Sequence, residues 1–131
     1  MEHRIAASLP APPDTRMSQR VAKRAEDLGY ESQWIADVVG PDPFVVAVAA
    51  AAVTARVRIG TAVIPAYTRT PPVIAGAAAT CAELAPGRFI LGVGASSENI
   101  VQNWSGVPFR RPLARVHETV TTARSILADE R

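Results

Sequence analysis

The stretch Pro86-Gly87-Arg88-Phe89-Ile90-Leu91-Gly92-Val93-Gly94-Ala95-Ser96 decides the fold class of this 131-residue chain. The Pro-Gly pair predicts a tight turn, and the nearly continuous apolar run at 89–93 predicts a parallel strand covered on both faces. Small residues follow, so backbone can approach a ligand closely where the strand ends. Ligands bind at the carboxyl ends of parallel strands in α/β folds. The stretch therefore indicates both an α/β fold and the edge where its chemistry would lie.

Four strand-like segments alternate with four helix-like segments along the chain. The strands are expected at about 4–9, 32–36, 57–64 and 88–93. The helices are expected at about 15–28, 43–55, 71–84 and 112–127, and the last three open with proline. This period is that of stacked βαβ units. Because no linker or low-complexity segment interrupts it, we expect residues 1–131 to form one domain of four βα units.

Four βα units make half of an eight-fold barrel or most of a small doubly wound sheet, and the pattern alone leaves both open. Residues 92–97 carry two of the three glycines of a dinucleotide-binding fingerprint, with Ser97 in the third place. This stretch lies late in the chain, however, and no helix follows it directly. A Rossmann-type nucleotide site is therefore disfavoured.

Bulk composition excludes several function classes. The chain is 48% hydrophobic and 20% charged, with a net charge of +2. Its basic residues are scattered and aromatics make up only 5%, whereas nucleic-acid binders carry a basic stripe or stacking aromatics. The longest apolar run, 44–53, is too short to span a membrane, and no signal peptide opens the chain. The single cysteine, Cys81, favours a reducing compartment. We expect a cytoplasmic protein without nucleic-acid or membrane partners.

Six segments, in this order and spacing, carry a resemblance to a known family. They are 25–32 (AEDLGYES), 59–65 (IGTAVIP), 69–71 (RTP), 86–96, 104–109 (WSGVPF) and 111–115 (RPLAR) with Glu118. In them the chain resembles the bacterial-luciferase-like superfamily of (β/α)8 barrels, and especially the oxidoreductases that use the deazaflavin coenzyme F420. The resemblance covers about 22–127, the N-terminal half of such a barrel. It implies a parallel (β/α) half-barrel of four units.

The resemblance also implies a function. It is that of an oxidoreductase or monooxygenase of the luciferase-like type, which passes hydride between F420, or alternatively FMN, and a small organic substrate. Asp37, at the end of the second strand, would face the cofactor ring as the acid–base residue, since a carboxylate in a partly apolar pocket has its pKa raised. An Asx-type cap of the following turn is the alternative role for Asp37.

Two further groups of cofactor-binding residues follow from the same resemblance. Thr61, Ala62 and Val63 would back the ring through a bulge with a non-prolyl cis peptide at Ala62–Val63 or beside it; an ordinary core strand is the alternative. Ser96 and Ser97 would donate hydroxyl and backbone N–H groups to cofactor oxygens, or else cap the loop that they begin. We expect Asp37 and Ser96 to open onto one cavity, because Asp37, Val63 and Ser96 end three neighbouring strands, whose loops converge.

Other conspicuous residues are given structural roles. Arg69 is expected to tie down its own loop, with binding of an anionic group as the alternative. Trp34 and Trp104 are expected to be packing residues. Arg115 and Glu118 have the spacing of a helix-surface pair. The two histidines lack a second ligand at suitable spacing, so no metal site is expected.

A half-barrel leaves two strand edges and one sheet face uncovered, which favours association. The chain could be a fragment, could pair with another half-barrel, or could be a non-catalytic cofactor-binding or structural relative. Relatives hold the cofactor phosphate with later βα loops, so weak binding is expected. The uncharged helix at 43–55 and the alanine-rich helix at 71–84 correspond to the subunit interface of luciferase-like proteins. The resemblance therefore implies a homodimer, which Ala50→Glu is expected to disrupt.

Overall fold

Parallel strands and covering helices alternate along the chain, and a computed structural model describes them for residues 5–9 and 14–129. The strands are β1 (Ala6–Leu9), β2 (Ser32–Ile35), β3 (Arg58–Thr61), β4 (Ile64–Pro65), β5 (Phe89–Ile90) and β6 (Val93–Gly94). The helices are α1 (Thr15–Asp27), α2 (Pro43–Ala51), α3 (Pro71–Leu84) and α4 (Pro112–Leu127), with a π-helical segment at Asn99–Trp104. The expected start of the first strand at residue 4 lies outside the described residues.

The strand order identifies the architecture. β1, β2, β3 and β5 form a parallel sheet in that sequence, and β4 pairs with β6 in parallel. In a Rossmann domain the first strand lies inside the sheet, whereas here it lies at one edge. Consecutive parallel neighbours are the arrangement of a (β/α) barrel. The predicted half-barrel of four βα units is confirmed.

Two strands that the sequence predicts as continuous are each divided in two. The side chain of Thr61 is responsible, because its hydroxyl accepts from the Gly92 amide at 2.9 Å and donates to the Gly92 carbonyl at 3.0 Å. The Gly92 carbonyl also accepts from the backbone amide of Ile64 at 2.8 Å, where the second halves of the two strands begin to pair. The Ala62–Val63 peptide, which follows directly, is cis. The bulge expected between the two halves of this strand is therefore present.

The helix layer packs on one face of the sheet through small residues. Ile35, Ile59, Ile64 and Ile74 are essentially inaccessible to solvent, and alanines from α2 and α3 fill the space between them. Close-packed interiors of this kind tolerate little change in volume. Across residues 5–9 and 14–129, no helix is long and apolar enough to cross a membrane.

A buried carboxylate explains why α2 ends at Ala51, four residues before its predicted end. Glu26 of α1 accepts backbone hydrogen bonds from Ala55, Arg56 and Val57, with its closest contact 2.6 Å from the Arg56 amide. These hydrogen bonds lower the pKa of Glu26 to about 2. The amides of the turn before β3 are thus bonded to a carboxylate instead of extending the helix.

Candidate functional site

Asp37 lies just beyond the carboxyl end of β2 and is paired with Arg69. Arg69 Nη2 donates to Oδ2 of Asp37 at 3.2 Å, and Nη1 donates to Oδ2 of Asp42 at 2.7 Å. The guanidinium carbon also lies 5.5 Å from the centroid of the Phe44 ring. Arg69 therefore does tie down its loop, as the sequence predicts, but it does so by joining two carboxylates at the carboxyl edge of the sheet.

Asp42 is held in place independently of Arg69. It caps α2, with Oδ1 accepting from the amides of Phe44 at 2.9 Å and Val45 at 3.3 Å. A short polar residue followed by proline is a common helix start, because the side chain satisfies otherwise unpaired N–H groups. Since the helix fixes Asp42, Asp42 fixes Nη1 of Arg69 and directs Nη2 toward Asp37.

The two carboxylates have different acidities. Burial raises the pKa of Asp37, and the charge and hydrogen bond of Arg69 offset this rise only in part. Burial also raises the pKa of Asp42, but hydrogen bonds from Arg69 and the Val45 amide lower it overall. Asp42 therefore stays ionised to lower pH than Asp37, and Asp37 is the carboxyl group that is protonated more readily, which suits an acid–base residue.

Asp37 and Arg69 form the polar part of a cleft of about 300 Å³. Apolar surface surrounds them: Val38, Val39, Pro65, Ile100 and Trp104 line the cleft together with Thr68 and Ser105. The side chain of Trp104 is 55% exposed. The prediction that Trp104 is a packing residue is therefore wrong, because the π-helical segment places this indole in the wall of the cleft.

The bulge after β3 lies beside the strand end that carries Asp37. The amide of Ala62 donates to the carbonyl of Ile35 at 2.7 Å, which joins the bulge to the last residue of β2. Ala62 is exposed and Val63 half-buried. Thr61 is fully buried, and its hydroxyl is engaged by Gly92. Thr61 therefore supports the bulge from behind, and Ala62 and Val63 are the residues that a ligand could reach.

Ser96 and Ser97 have different surroundings. Ser96 is half-buried in the left-handed backbone region, with φ of +63°. Ser97 is exposed, and its Oγ accepts from the amide of Ile100 at 3.4 Å while its carbonyl accepts from Val101 at 3.0 Å. Ser97 thus caps the π-helical segment, as in the alternative role considered for it.

The cavity expected to join Asp37 with Ser96 is not formed. The cleft that contains Asp37 is lined by neither Val63 nor Ser96. The chain turns at Ser97 into the π-helical segment, and this segment supplies Ile100 and Trp104 as the wall opposite Asp37. The predicted residues therefore do not share one cavity: Asp37 lines the cleft, whereas Ala62, Val63 and Ser96, which follow β3 and β6, do not line it. We call these three residues the shelf.

The long loop before α4 is fixed by contacts that the sequence does not reveal. Tyr67 donates to the carbonyl of Arg110 at 2.7 Å, and its ring lies 5.1 Å from that of Phe109. Arg115 donates through Nε to the Ala66 carbonyl at 3.1 Å. The predicted pair of Arg115 with Glu118 is not formed, since Glu118 lies 3.9 Å from Arg111 instead. In the sequence, the only signal for these contacts is an aromatic residue, Tyr67, just after the Pro65 turn.

The chain is similar to known proteins over most of its length. The family model for luciferase-like monooxygenases matches residues 1–131. The chain belongs to the luciferase-like monooxygenase family. It is 39% identical over 123 residues to an F420-dependent glucose-6-phosphate dehydrogenase of Kineococcus radiotolerans, a match that covers 84% of this chain and 36% of the relative. The chain spans 30% to 37% of the length of the curated relatives it matches.

Solved structures of the family superpose closely on the half-barrel. Coenzyme F420-dependent tetrahydromethanopterin reductase from Methanopyrus kandleri gives a TM-score of 0.85 at 25% identity, covering 95% of this chain and 40% of that one. The oxygenating constituent of 3,6-diketocamphane monooxygenase of Pseudomonas putida, in complex with FMN, gives 0.84 at 17% identity, covering 95% and 39%. The second likeness shows the fold alone.

Within the part of the chain described, no group of three or more His, Cys, Asp or Glu side chains could hold a metal ion.

Proposed function

We propose that this chain is the ring-binding N-terminal half of a luciferase-like oxidoreductase that passes hydride between coenzyme F420 and a small organic substrate, with FMN as the alternative cofactor. The observation that carries the proposal is the position of Asp37 beside the Ala62 bulge. The amide of Ala62 bonds to the last residue of β2, and Asp37 follows that strand with a raised pKa. A proton-exchanging group thus adjoins an accessible stretch of backbone.

The residues present fit a flat ring at this edge. Ala62 presents only a methyl group, so its exposed backbone is open to close approach. Ser96 and the half-buried Gly94 and Ala95 add no large side chain to the shelf. When bound, a deazaflavin or flavin supplies the two-electron chemistry, and the protein supplies binding and orientation. F420 is favoured over FMN because curated relatives are named for their dependence on F420.

Asp37 is the group that exchanges a proton with the substrate. Oxidation of a substrate hydroxyl releases one proton as well as hydride, and the Asp37 carboxylate accepts it; the protonated acid returns it in the reverse direction. Arg69 orients the carboxylate through Nη2, and Asp42 orients Arg69. Apolar side chains surround this carboxylate in the cleft.

A second candidate function is that of a structural half-barrel that works only with a partner chain. The groove between α4 and the end of β6 favours it, since this groove of about 550 Å³ is lined mainly by apolar side chains. Leu113 at its rim is 88% exposed. Exposed apolar surface of this kind marks sites of association.

Calorimetric titration with F420 and with FMN tests the proposed function. Because the resemblance assigns phosphate binding to later loops, we expect weak binding of F420 by the wild-type chain. Ala62→Trp fills the shelf and is expected to weaken binding roughly tenfold or more, about 1.4 kcal/mol. Ala128→Trp adds the same ring at an exposed position after α4 and is expected to bind like wild type. No detectable binding at millimolar ligand would leave the structural half-barrel in its place.

We also propose a cytoplasmic location. The thiol of Cys81, the single cysteine, is buried. Burial raises its pKa to about 11. A protonated, inaccessible thiol takes no part in disulfide chemistry, and a protein without disulfides is typical of a reducing compartment. Fractionation of the producing cells, with the chain followed by antibody, tests this location.

A further inference from the structure

The charged cluster at the base of the cleft has no surplus of positive charge. Arg69 bears one positive charge, and it is the only basic residue among the described residues that line the cleft. Asp42 is its counter-ion at 2.7 Å, with a lowered pKa. The cluster is therefore neutral when Asp37 is protonated and carries a net negative charge when Asp37 is ionised. An anionic ligand gains no net electrostatic attraction in either state.

Arg69 is also unable to clamp an anion without losing contacts that it already makes. Its two terminal nitrogens donate to different carboxylates, at 2.7 Å and 3.2 Å. Its Nε is buried without a hydrogen-bond partner, but each pair of nitrogens that could bind a carboxylate or phosphate bidentately includes a terminal nitrogen already bonded to a carboxylate. Thr68 and Ser105 contribute hydroxyl groups to the cleft, and its acidic group is the Asp37 carboxylate, whose side chain is 16% exposed. A carboxylate accepts hydrogen bonds from O–H and N–H groups and attracts cations.

The walls of the cleft select for apolar, planar surface. Trp104 is 55% exposed and Val39 is 73% exposed, and Pro65 and Ile100 complete the walls. A volume of about 300 Å³ is at the lower end for ligand sites. It suits a single ring with a short substituent. An indole face also attracts ammonium groups.

We propose that this cleft, between the Asp37–Arg69 pair and Trp104, takes the substrate, and that the substrate is a neutral or cationic small ring compound with a hydroxyl or amino group. The assignment of the bound molecule as substrate rests on the proposed function. The selection against anions rests on the cleft alone. It separates this chain from relatives whose names specify glucose 6-phosphate, a phosphorylated and therefore anionic sugar.

Nuclear magnetic resonance of the indole N–H groups tests the selection without any cofactor. The chain has two tryptophans, and Trp34, which donates to Ser32 Oγ at 3.1 Å, serves as the internal reference. The probes are benzylamine, benzyl alcohol and benzoate, which share one ring and differ in charge. We expect benzylamine and benzyl alcohol to shift the Trp104 signal and leave that of Trp34 unmoved. Benzoate is expected to bind at least roughly tenfold more weakly than benzylamine.

Two variants assign the discrimination to Asp37. Benzylamine is expected to bind more tightly than benzyl alcohol, because the Asp37 carboxylate attracts its ammonium group. Asp37→Asn removes the carboxylate and is expected to abolish this preference. Asp27→Asn removes one negative charge from an exposed position on α1, and we expect it to keep that preference. Equal binding of benzoate and benzylamine, or a Trp104 signal that no probe moves, would overturn the inference. Binding of benzylamine at Trp104 by a chain that binds neither F420 nor FMN would overturn the proposed function and leave the selection standing.

Discussion

Thr61 and Gly92 exchange two hydrogen bonds across neighbouring strands. The Thr61 hydroxyl accepts from the Gly92 amide at 2.9 Å and donates to its carbonyl at 3.0 Å. A side chain at position 92 would collide with the Thr61 carbonyl oxygen, so this close approach requires glycine. The pair fixes the backbone immediately before Ala62, and thereby sets the position of the shelf.

We expect Thr61→Val to destabilise the protein by about 1 to 3 kcal/mol, because the half-buried amide of Gly92 loses its partner, whereas the Gly92 carbonyl keeps the Ile64 amide. Thr61→Ser retains the hydroxyl and is the matched control, with a smaller loss from the missing methyl group. Denaturant unfolding followed by circular dichroism measures both. Equal stability of the valine variant and wild type would show that Thr61 does not hold the strands together.

Glu26→Gln is expected to cost a similar amount at neutral pH, since three backbone amides share the carboxylate that is removed. The folded-state pKa of Glu26 is about 2, below its ordinary value of 4.5. Its stabilisation is therefore fully present above pH 4.5 and is lost as pH falls toward 2.

Unfolding free energies at pH 7 and pH 3 check this dependence. The difference between wild type and Glu26→Gln is expected to shrink at the lower pH. Glu83→Gln, at an exposed position on α3, is the control and is expected to match wild type at pH 7. A gap of constant size between pH 7 and pH 3 would mean that the charge of Glu26 is not what stabilises the turn.

Arg69→Gln is expected to raise the pKa of Asp37 further. Burial already raises it, and Arg69 is the group that opposes the rise. Carbon-13 resonances of the aspartate carboxyl groups, followed against pH, measure the change directly. Arg124→Gln removes a cation from an exposed position on α4 and should leave the titration of Asp37 where it was. An unchanged titration midpoint of Asp37 in Arg69→Gln would show that Arg69 does not set the pKa of this carboxyl group.

We propose that two copies pair through the outer faces of α2 and α3, where Val45 is 57% and Val73 is 55% exposed. Ala50, in contrast, is fully buried within one copy. Ala50→Glu would therefore test folding instead of association, contrary to the expectation from sequence. Val45→Glu is expected to give folded monomers in sedimentation experiments, whereas Leu113→Glu at the α4 groove should leave the dimer intact. The reverse result would favour pairing of half-barrels through their open edges.

The order of βα units was predictable because strand and helix periodicities are local properties of the sequence. Local patterns did not predict the strand breaks, since these depend on a contact between Thr61 and Gly92, residues 31 positions apart; the bulge at Ala62–Val63 was implied by the family resemblance alone. The walls of the cleft also depend on residues that are far apart in the sequence. The sequence points to Asp37 through its place after β2, but Trp104 reaches the cleft only because the chain folds back through the π-helical segment. Long-range placement of loops is what local patterns do not encode.

Mapping of F420 on the backbone amides tests the central claim most directly. Nitrogen-15 spectra of the chain are recorded as F420 is added, with Ala62→Trp as the variant that fills the shelf. We predict that the largest shifts fall on Ala62, Val63 and Ser96, and that the variant loses them. Shifts confined to other surfaces, or none at millimolar F420, would contradict the claim that this edge of the half-barrel binds the cofactor ring.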